Sequence, residues 1–183
     1  FVATGLISGG VWLFSNKGII KPTVVSFNVI KEKKIVDRIE ELTATASGEW
    51  AVYFYRLGDG ESWGINENEV MPGASILKIP ALAAVATRSG ETWTLEEVDR
   101  RTGSGPLQFL KAGTAVTVER VMSELGKKSD NTAWVMINRR LGYAEVEKLI
   151  GDWGLKNTNY RELTTTAEDV GVMMRKIYER PEL

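Results

Sequence analysis

The sequence contains no histidine and no cysteine. The absence of histidine excludes active sites in which a histidine activates a serine or a cysteine. The absence of both residue types excludes iron–sulfur clusters and zinc sites built on them. Any nucleophile must therefore be a serine, threonine, tyrosine, lysine or carboxylate, with a lysine or a carboxylate as its base. We expect neither a metal ion nor a cofactor, and the lack of cysteine does not indicate a redox compartment.

The sequence also lacks an excess of charge, since its formal net charge is −1. A protein needs a cationic surface to bind the phosphate backbone of a nucleic acid. We therefore expect no nucleic-acid partner. The 183 residues are 43% hydrophobic and 26% charged. This composition is typical of a globular protein with one domain of ordinary size, and we expect a monomer.

Apolar and small residues occupy the whole stretch from Phe1 to Phe14, and the first charged residue is Lys17. A run of this length would cross only about two-thirds of a bilayer. We interpret residues 1–20 as the truncated end of a membrane anchor or of a signal segment. A buried helix is the alternative.

The remaining chain opens with a predicted amphipathic helix between Ile30 and Leu42 and a hairpin formed by Trp50–Tyr55 and Glu61–Ile65. From Ser75 onward, the apolar spacing and the punctuating glycines predict an almost entirely helical chain. The predicted helices there span 75–88, 94–99, 117–125, 131–141, 144–153 and 167–179.

Ser75-Ile76-Leu77-Lys78 places a serine and a lysine three residues apart at the start of a helix. Residues at this spacing share a helix face, so the lysine can reach the serine oxygen and act as its base if burial lowers its proton affinity. A serine N-cap with an exposed lysine is the alternative interpretation. Such a pattern alone arises about once by chance in a chain of this length.

A second pattern, Ser129-Asp130-Asn131, is much rarer by chance. Its residues suit an N-cap that opens the helix at Thr132, which is the structural interpretation. The two interpretations are compatible, because a cap can hold the loop while other side chains face a cleft.

Together these patterns make the chain resemble the class A β-lactamases and their penicillin-binding relatives, in which both motifs occur. The resemblance extends from about Val29 to the end of the sequence. It includes three further matching stretches, Gly103–Leu107, Ser129–Ala133 and Thr164–Asp169.

The resemblance implies a role for each matching residue. Ser75 would attack a lactam or peptide carbonyl, and its backbone N–H would donate to the oxyanion. Lys78 would take or relay the proton, and Ser129 would protonate the leaving nitrogen. Asn131 would bind the substrate amide and help to hold Lys78, whereas Asp130 would be structural.

The resemblance also implies an α/β (α+β) fold of the β-lactamase/DD-peptidase type, with a helical region beside an antiparallel sheet. The sequence contains no Lys-Thr-Gly, the motif that the family carries on a later strand. We therefore expect residues 28–183 to be a catalytic domain without its C-terminal strands, in which only the opening hairpin of the sheet is present.

Class A β-lactamases also carry a long loop with a glutamate that activates the deacylating water. Here only residues 157–163 occupy that place, and Glu162 is the sole candidate for the base. An exposed turn residue is the alternative interpretation of Glu162. Without such a base, the acyl-enzyme should hydrolyse slowly.

Three functions remain open at this point. The first is a serine hydrolase that opens β-lactams, and the second is a D-alanyl-D-alanine peptidase acting on peptidoglycan stem peptides. The third is a module that binds penicillin or wall fragments without catalysis. Each implies a location outside the cytoplasm, at the cell surface or in the periplasm, with the protein either anchored to the membrane through residues 1–20 or secreted.

Overall fold

The computed structural model describes residues 33–180 together with two short strands near the N-terminus. These strands, β1 (Phe14–Ser15) and β2 (Gly18–Ile19), form an antiparallel pair. The rest of the predicted anchor at residues 1–20 lies outside the described residues, and the anchor stays a prediction. No helix in the described part of the chain has the length and apolar composition needed to cross a membrane.

The first helix and hairpin form where their sequence patterns predict them. Helix α1 spans Lys33–Thr45, and its apolar stripe buries Ile39. Strands β3 (Val52–Tyr55) and β4 (Ser62–Ile65) are antiparallel. Their register places Phe54 opposite Trp63, and the two rings stack with centroids 5.4 Å apart. Such cross-strand aromatic pairs stabilise a hairpin beyond its backbone hydrogen bonds.

Five further α-helices follow in the described part of the chain. Their bounds are α2 (Lys78–Val85), α3 (Val118–Lys128), α4 (Asn131–Leu141), α5 (Tyr143–Asp152) and α6 (Ala167–Glu179). Short 3₁₀ turns flank α2, at Ala74–Leu77 and Ala86–Arg88, and two more lie at Glu97–Asp99 and Leu107–Phe109.

Helix α2 is the centre of the hydrophobic core. It packs against α3, α4 and α5, and Ala81 and Val85 are completely inaccessible to solvent. A helix that is apolar on every side is stable only when neighbouring elements surround it. Lys78, at the first position of α2, is the one charged residue of this helix. The core therefore fixes the end of α2 where the serine–lysine pattern lies.

The expectation of an almost wholly helical chain after Ser75 was wrong. Strand β5 (Met71–Pro72), just before this region, pairs with β8 (Thr164–Thr165) inside it. Strands β6 (Thr92–Thr94) and β7 (Ala115–Thr117) form another antiparallel pair. The helix predicted at residues 94–99 is therefore the end of β6 followed by a single 3₁₀ turn. Strands this short carry no recognisable alternation, because pairing with a distant segment decides their conformation.

The predicted fold class is nevertheless confirmed, since a helical region lies beside antiparallel strands. Helix α6 packs against strand β3 and joins the hairpin to the helical region. Gly171 permits this close approach, because a Cβ atom there would lie 2.3 Å from the ring of Tyr53. The predicted picture of a single visible hairpin was incomplete, as β5–β8 and β6–β7 are also present.

Candidate active site

Ser75 lies in the 3₁₀ turn that leads into the central helix α2, with its side chain exposed. The preceding residue, Ala74, has a left-handed backbone with φ of 44°. This conformation is unfavourable for a residue with a side chain, and such strain is commonly found at functional sites. Among the described residues, no group accepts a hydrogen bond from the Ser75 backbone N–H. That N–H is therefore available to an oxygen atom of a ligand.

Lys78 lies one turn beyond Ser75, and its ammonium group contacts the second motif. Its Nζ donates to the Ser129 carbonyl oxygen at 2.5 Å, to Ser129 Oγ at 2.9 Å and to Asn131 Oδ1 at 2.7 Å. Burial lowers the pKa of Lys78, while the negative charge of Asp130 opposes the shift. A lysine with a lowered pKa releases its proton more readily and can serve as a general base.

The loop between α3 and α4 supplies the partners of Lys78. Ser129 has a left-handed backbone with φ of 53°, which ends α3 and turns the chain. Asp130 is completely buried and is the N-cap of α4, where its carboxylate accepts from the backbone N–H of Ala133 at 2.8 Å. Its other oxygen accepts from the N–H of Leu107 at 2.8 Å. Asp130 thus fixes the loop from both sides.

The glycine-rich stretch before Pro106 packs directly against this loop. Gly103 and Gly105 have φ values of 111° and 94°. A Cβ atom at Gly103 would lie 2.7 Å from Asn131 Nδ2, and one at Gly105 would lie 2.0 Å from Asp130 Oδ2. Both positions therefore require glycine, for the backbone conformation and for the close approach.

The short loop after α5 borders the site on its other side. The backbone N–H of Gly73 donates to the carbonyl of Leu163 at 2.8 Å, beside the β5–β8 pair. The loop folds into a tight turn in which Asn159 and Thr164 exchange two backbone hydrogen bonds. Buried Asp169 holds the start of the loop by accepting from Asn157 N–H and Thr158 Oγ1, both at 2.8 Å.

Glu162 lies in this turn with its side chain exposed. Its backbone N–H donates to Asn159 Oδ1 at 3.1 Å. Among residues 33–180, no hydrogen bond or ion pair links its carboxylate to another group. Glu162 therefore belongs to the loop that borders the site, but the structure shows no contact between Glu162 and Ser75 or Lys78.

Sequence reasoning selected the residues that the fold brings together, with one omission. Lys78, Ser129 and Asn131 share hydrogen bonds, Ser75 is one turn away, and Asp130 is buried beneath them. Their roles in a reaction stay predictions. The omission is Gln108, whose side-chain amide donates to two carbonyls of the glycine-rich stretch. No group of acidic side chains in the described part of the chain could hold a metal ion.

A serine and a half-buried lysine at the start of a core helix, facing a Ser-Asp-Asn loop, form the arrangement expected of a serine–lysine type of site. The family model of the Beta-lactamase enzyme family matches residues 34–183. The chain therefore belongs to the beta-lactamase enzyme family. No curated protein matches the sequence.

Solved structures agree with this assignment. The chain is similar to PBP-A, with 28% sequence identity, a TM-score of 0.73 and 83% of the chain covered. It is similar in the same way to a point mutant of PBP-A, solved as an acyl-enzyme complex with penicillin G, with 28% identity, 83% coverage and a TM-score of 0.72. A β-lactamase from Sphaerobacter thermophilus DSM 20745 shares the fold, with 22% identity, a TM-score of 0.69 and 84% of the chain covered. The chain spans 64% of the length of each of these structures.

Proposed function

We propose that the protein is a serine hydrolase in which β-lactams acylate Ser75 and the lactam amide bond is opened. The observation that carries this proposal is the environment of Lys78. Its amine is partly buried, its pKa is lowered, and three oxygen atoms of Ser129 and Asn131 surround it. A lysine that was merely exposed to solvent at the start of a helix would have neither the lowered pKa nor these three partners.

The proposed reaction has two proton transfers. Ser75 Oγ bonds to the carbonyl carbon while its proton passes to the neutral amine of Lys78, and the carbonyl electrons move to the oxygen. The Ser75 N–H donates to this oxyanion. When the intermediate collapses, the C–N bond breaks and the leaving nitrogen takes the proton of Ser129 Oγ. Ser129 is reprotonated by Lys78, whose Nζ lies 2.9 Å from that oxygen.

Covalent labelling with a fluorescent penicillin tests this proposal on the protein expressed from its complete gene. We expect one label per molecule, lost in Ser75→Ala and strongly slowed in Lys78→Met. Ser62→Ala is the matched control, because Ser62 is also exposed but lies on β4, outside the site. Label that persists in Ser75→Ala would rule out Ser75 as the nucleophile. No label on the folded wild-type protein would favour a non-catalytic binding module.

The second candidate function is a D-alanyl-D-alanine peptidase, and the short loop after α5 favours it. Among the described residues, neither Ser75 nor Lys78 has a hydrogen bond to a carboxylate that could activate a deacylating water. We therefore expect the penicillin label to last for minutes or longer. Release of D-alanine from a peptide ending in D-alanyl-D-alanine would support the peptidase, whereas rapid loss of label with turnover of penicillin would support a β-lactamase.

We also propose that the protein acts outside the cytoplasm, attached to the membrane through residues 1–20. Peptidoglycan and the antibiotics that mimic it are found there, and the sequence before Lys17 is largely apolar or small. Fractionation of cells that express the complete gene tests this location. Recovery of the protein in the membrane fraction, with labelling by a penicillin that does not enter the cytoplasm, is the expected result. Recovery in the cytoplasmic fraction would contradict it.

A further inference from the structure

The segment from Thr102 to Gly105 lies between two side-chain amides. On one side, Asn131 donates from Nδ2 to the Thr102 carbonyl and from its backbone N–H to the Ser104 carbonyl, both at 3.0 Å. On the other side, Nε2 of Gln108 donates to the carbonyls of Gly103 at 2.6 Å and Gly105 at 2.8 Å. Four successive carbonyls thus point alternately to Asn131 and to Gln108.

The contact with Thr102 determines which end of the Asn131 amide faces Lys78. Because Nδ2 donates to the Thr102 carbonyl, Oδ1 is directed to the lysine, where it accepts from Nζ at 2.7 Å. The opposite orientation would place the NH₂ group against the lysine ammonium and leave the carbonyl without a donor. The position of the Thr102 carbonyl therefore controls a direct contact of the lysine.

The glycines alone cannot hold that carbonyl in place. Gly103 and Gly105 are the residues with the greatest backbone freedom, and both adopt positive φ. Among the described residues, only two side chains donate to the carbonyls of this segment, and these are Asn131 and Gln108. The carbonyls that Asn131 does not reach are held by Gln108 alone. Without them, rotation about the glycines could move the Thr102 and Ser104 carbonyls away from Asn131.

We infer that Gln108 is a positioning residue that holds the segment from Thr102 to Gly105 and thereby orients Asn131 toward Lys78. This inference rests on the proposed function, since it assigns Gln108 an effect on acylation at Ser75. Gln108 does not touch Ser75 or Lys78, so its effect passes through Asn131. The family motifs from which the site was predicted do not include this residue.

The acylation rate constant with penicillin measures the effect. Gln108→Met keeps the length of the side chain without the donors, and Gln108→Glu keeps its shape while replacing the NH₂ group by oxygen. We expect each variant to acylate about 10-fold to 100-fold more slowly, as is typical of a misplaced catalytic group. Thr114→Val is the matched control, because it removes a side chain-to-carbonyl hydrogen bond of 2.7 Å to Lys111, away from Asn131. We expect its acylation rate to equal that of the wild type.

A double-mutant cycle separates positioning from general destabilisation. If Gln108 acts through Asn131, Gln108→Met should slow acylation at most about twofold in an Asn131→Ala background. A full additional loss in that background would overturn the inference, as would wild-type acylation in both Gln108 variants. The acidic limb of the pH–rate profile should also move to lower pH in Gln108→Met, because the ammonium of Lys78 loses a fixed acceptor. A purely structural role would leave this limb unmoved.

A measurement that does not depend on acylation distinguishes failure of this inference from failure of the proposed function. Selective ¹⁵N labelling of glutamine side chains gives the NH₂ signals of Gln108, which are assigned as the pair that disappears in Gln108→Met. We expect both NH₂ protons to resonate away from the positions of free glutamine and to exchange slowly with solvent, because both donate hydrogen bonds. Signals at the positions of free glutamine would overturn the inference even if penicillin labels the protein. Protected signals in a protein that penicillin does not label would contradict the proposed function alone.

Discussion

Replacement of Asp130 by asparagine should destabilise the protein, although the two side chains have nearly the same shape. The carboxylate accepts from two backbone N–H groups, those of Ala133 and Leu107, each at 2.8 Å. An asparagine offers one oxygen, so its NH₂ group must face the other N–H. Leaving one buried donor unsatisfied costs about 1–3 kcal/mol. For a chain of this size, a cost near 2 kcal/mol lowers the Tm by about 6 °C.

Thermal unfolding followed by circular dichroism measures this change. Asp152→Asn is the matched control, because Asp152 is 56% exposed and, among the described residues, pairs only with Lys148 on the surface of α5. Such exposed pairs contribute at most about 1 kcal/mol, so we expect little change in the control. A Tm for Asp130→Asn within about 1 °C of the wild type would show that the two hydrogen bonds do not hold the loop.

Three further predictions concern stability. Tyr160→Phe should cost about 1–3 kcal/mol in urea unfolding, because the Tyr160 hydroxyl accepts from Trp134 Nε1 at 2.7 Å and donates to Asn138 Oδ1 at 2.9 Å. Burial raises the pKa of Tyr160 to about 12, so the folded state retains a proton that the unfolded state loses near pH 10. The free energy of unfolding should therefore fall as the pH rises from about 10 to 12, and it should fall less in Tyr160→Phe. The same pH dependence in both proteins would show that the raised pKa of Tyr160 is not its cause. Asp99→Ala should cost about 2–4 kcal/mol by the same assay, since it removes the buried partner of Arg139 at 2.6 Å, and a cost below about 0.5 kcal/mol would contradict this.

The helices that the sequence predicted best have strong signals at their own ends. Helix α4 begins at Asn131 after the Asp130 cap, and α6 begins at Ala167 after Thr166, whose hydroxyl accepts from the Asp169 N–H. These capping interactions are local, so they are visible in the sequence. The pairing of β5 with β8 depends on two segments far apart in the chain, and nothing in either segment specifies the other.

The candidate site also contains residues that could be predicted from the sequence and one that could not. Ser75, Lys78, Ser129 and Asn131 could be predicted because their spacing matches a family pattern. Gln108 could not be predicted, because its partners are backbone carbonyls, which every residue possesses. Its location after a Gly-Ser-Gly-Pro stretch is a usable signal only once the chain path is known.

The most direct test of the account is the location of the penicillin adduct. After reaction of the complete protein with benzylpenicillin, trypsin releases residues 57–78 as one peptide, which contains only two serines, Ser62 and Ser75. We expect mass spectrometry to show one added penicillin on this peptide, with fragmentation that assigns it to Ser75. An adduct on Ser62, or on any other peptide of the protein, would contradict the assignment of Ser75 as the nucleophile.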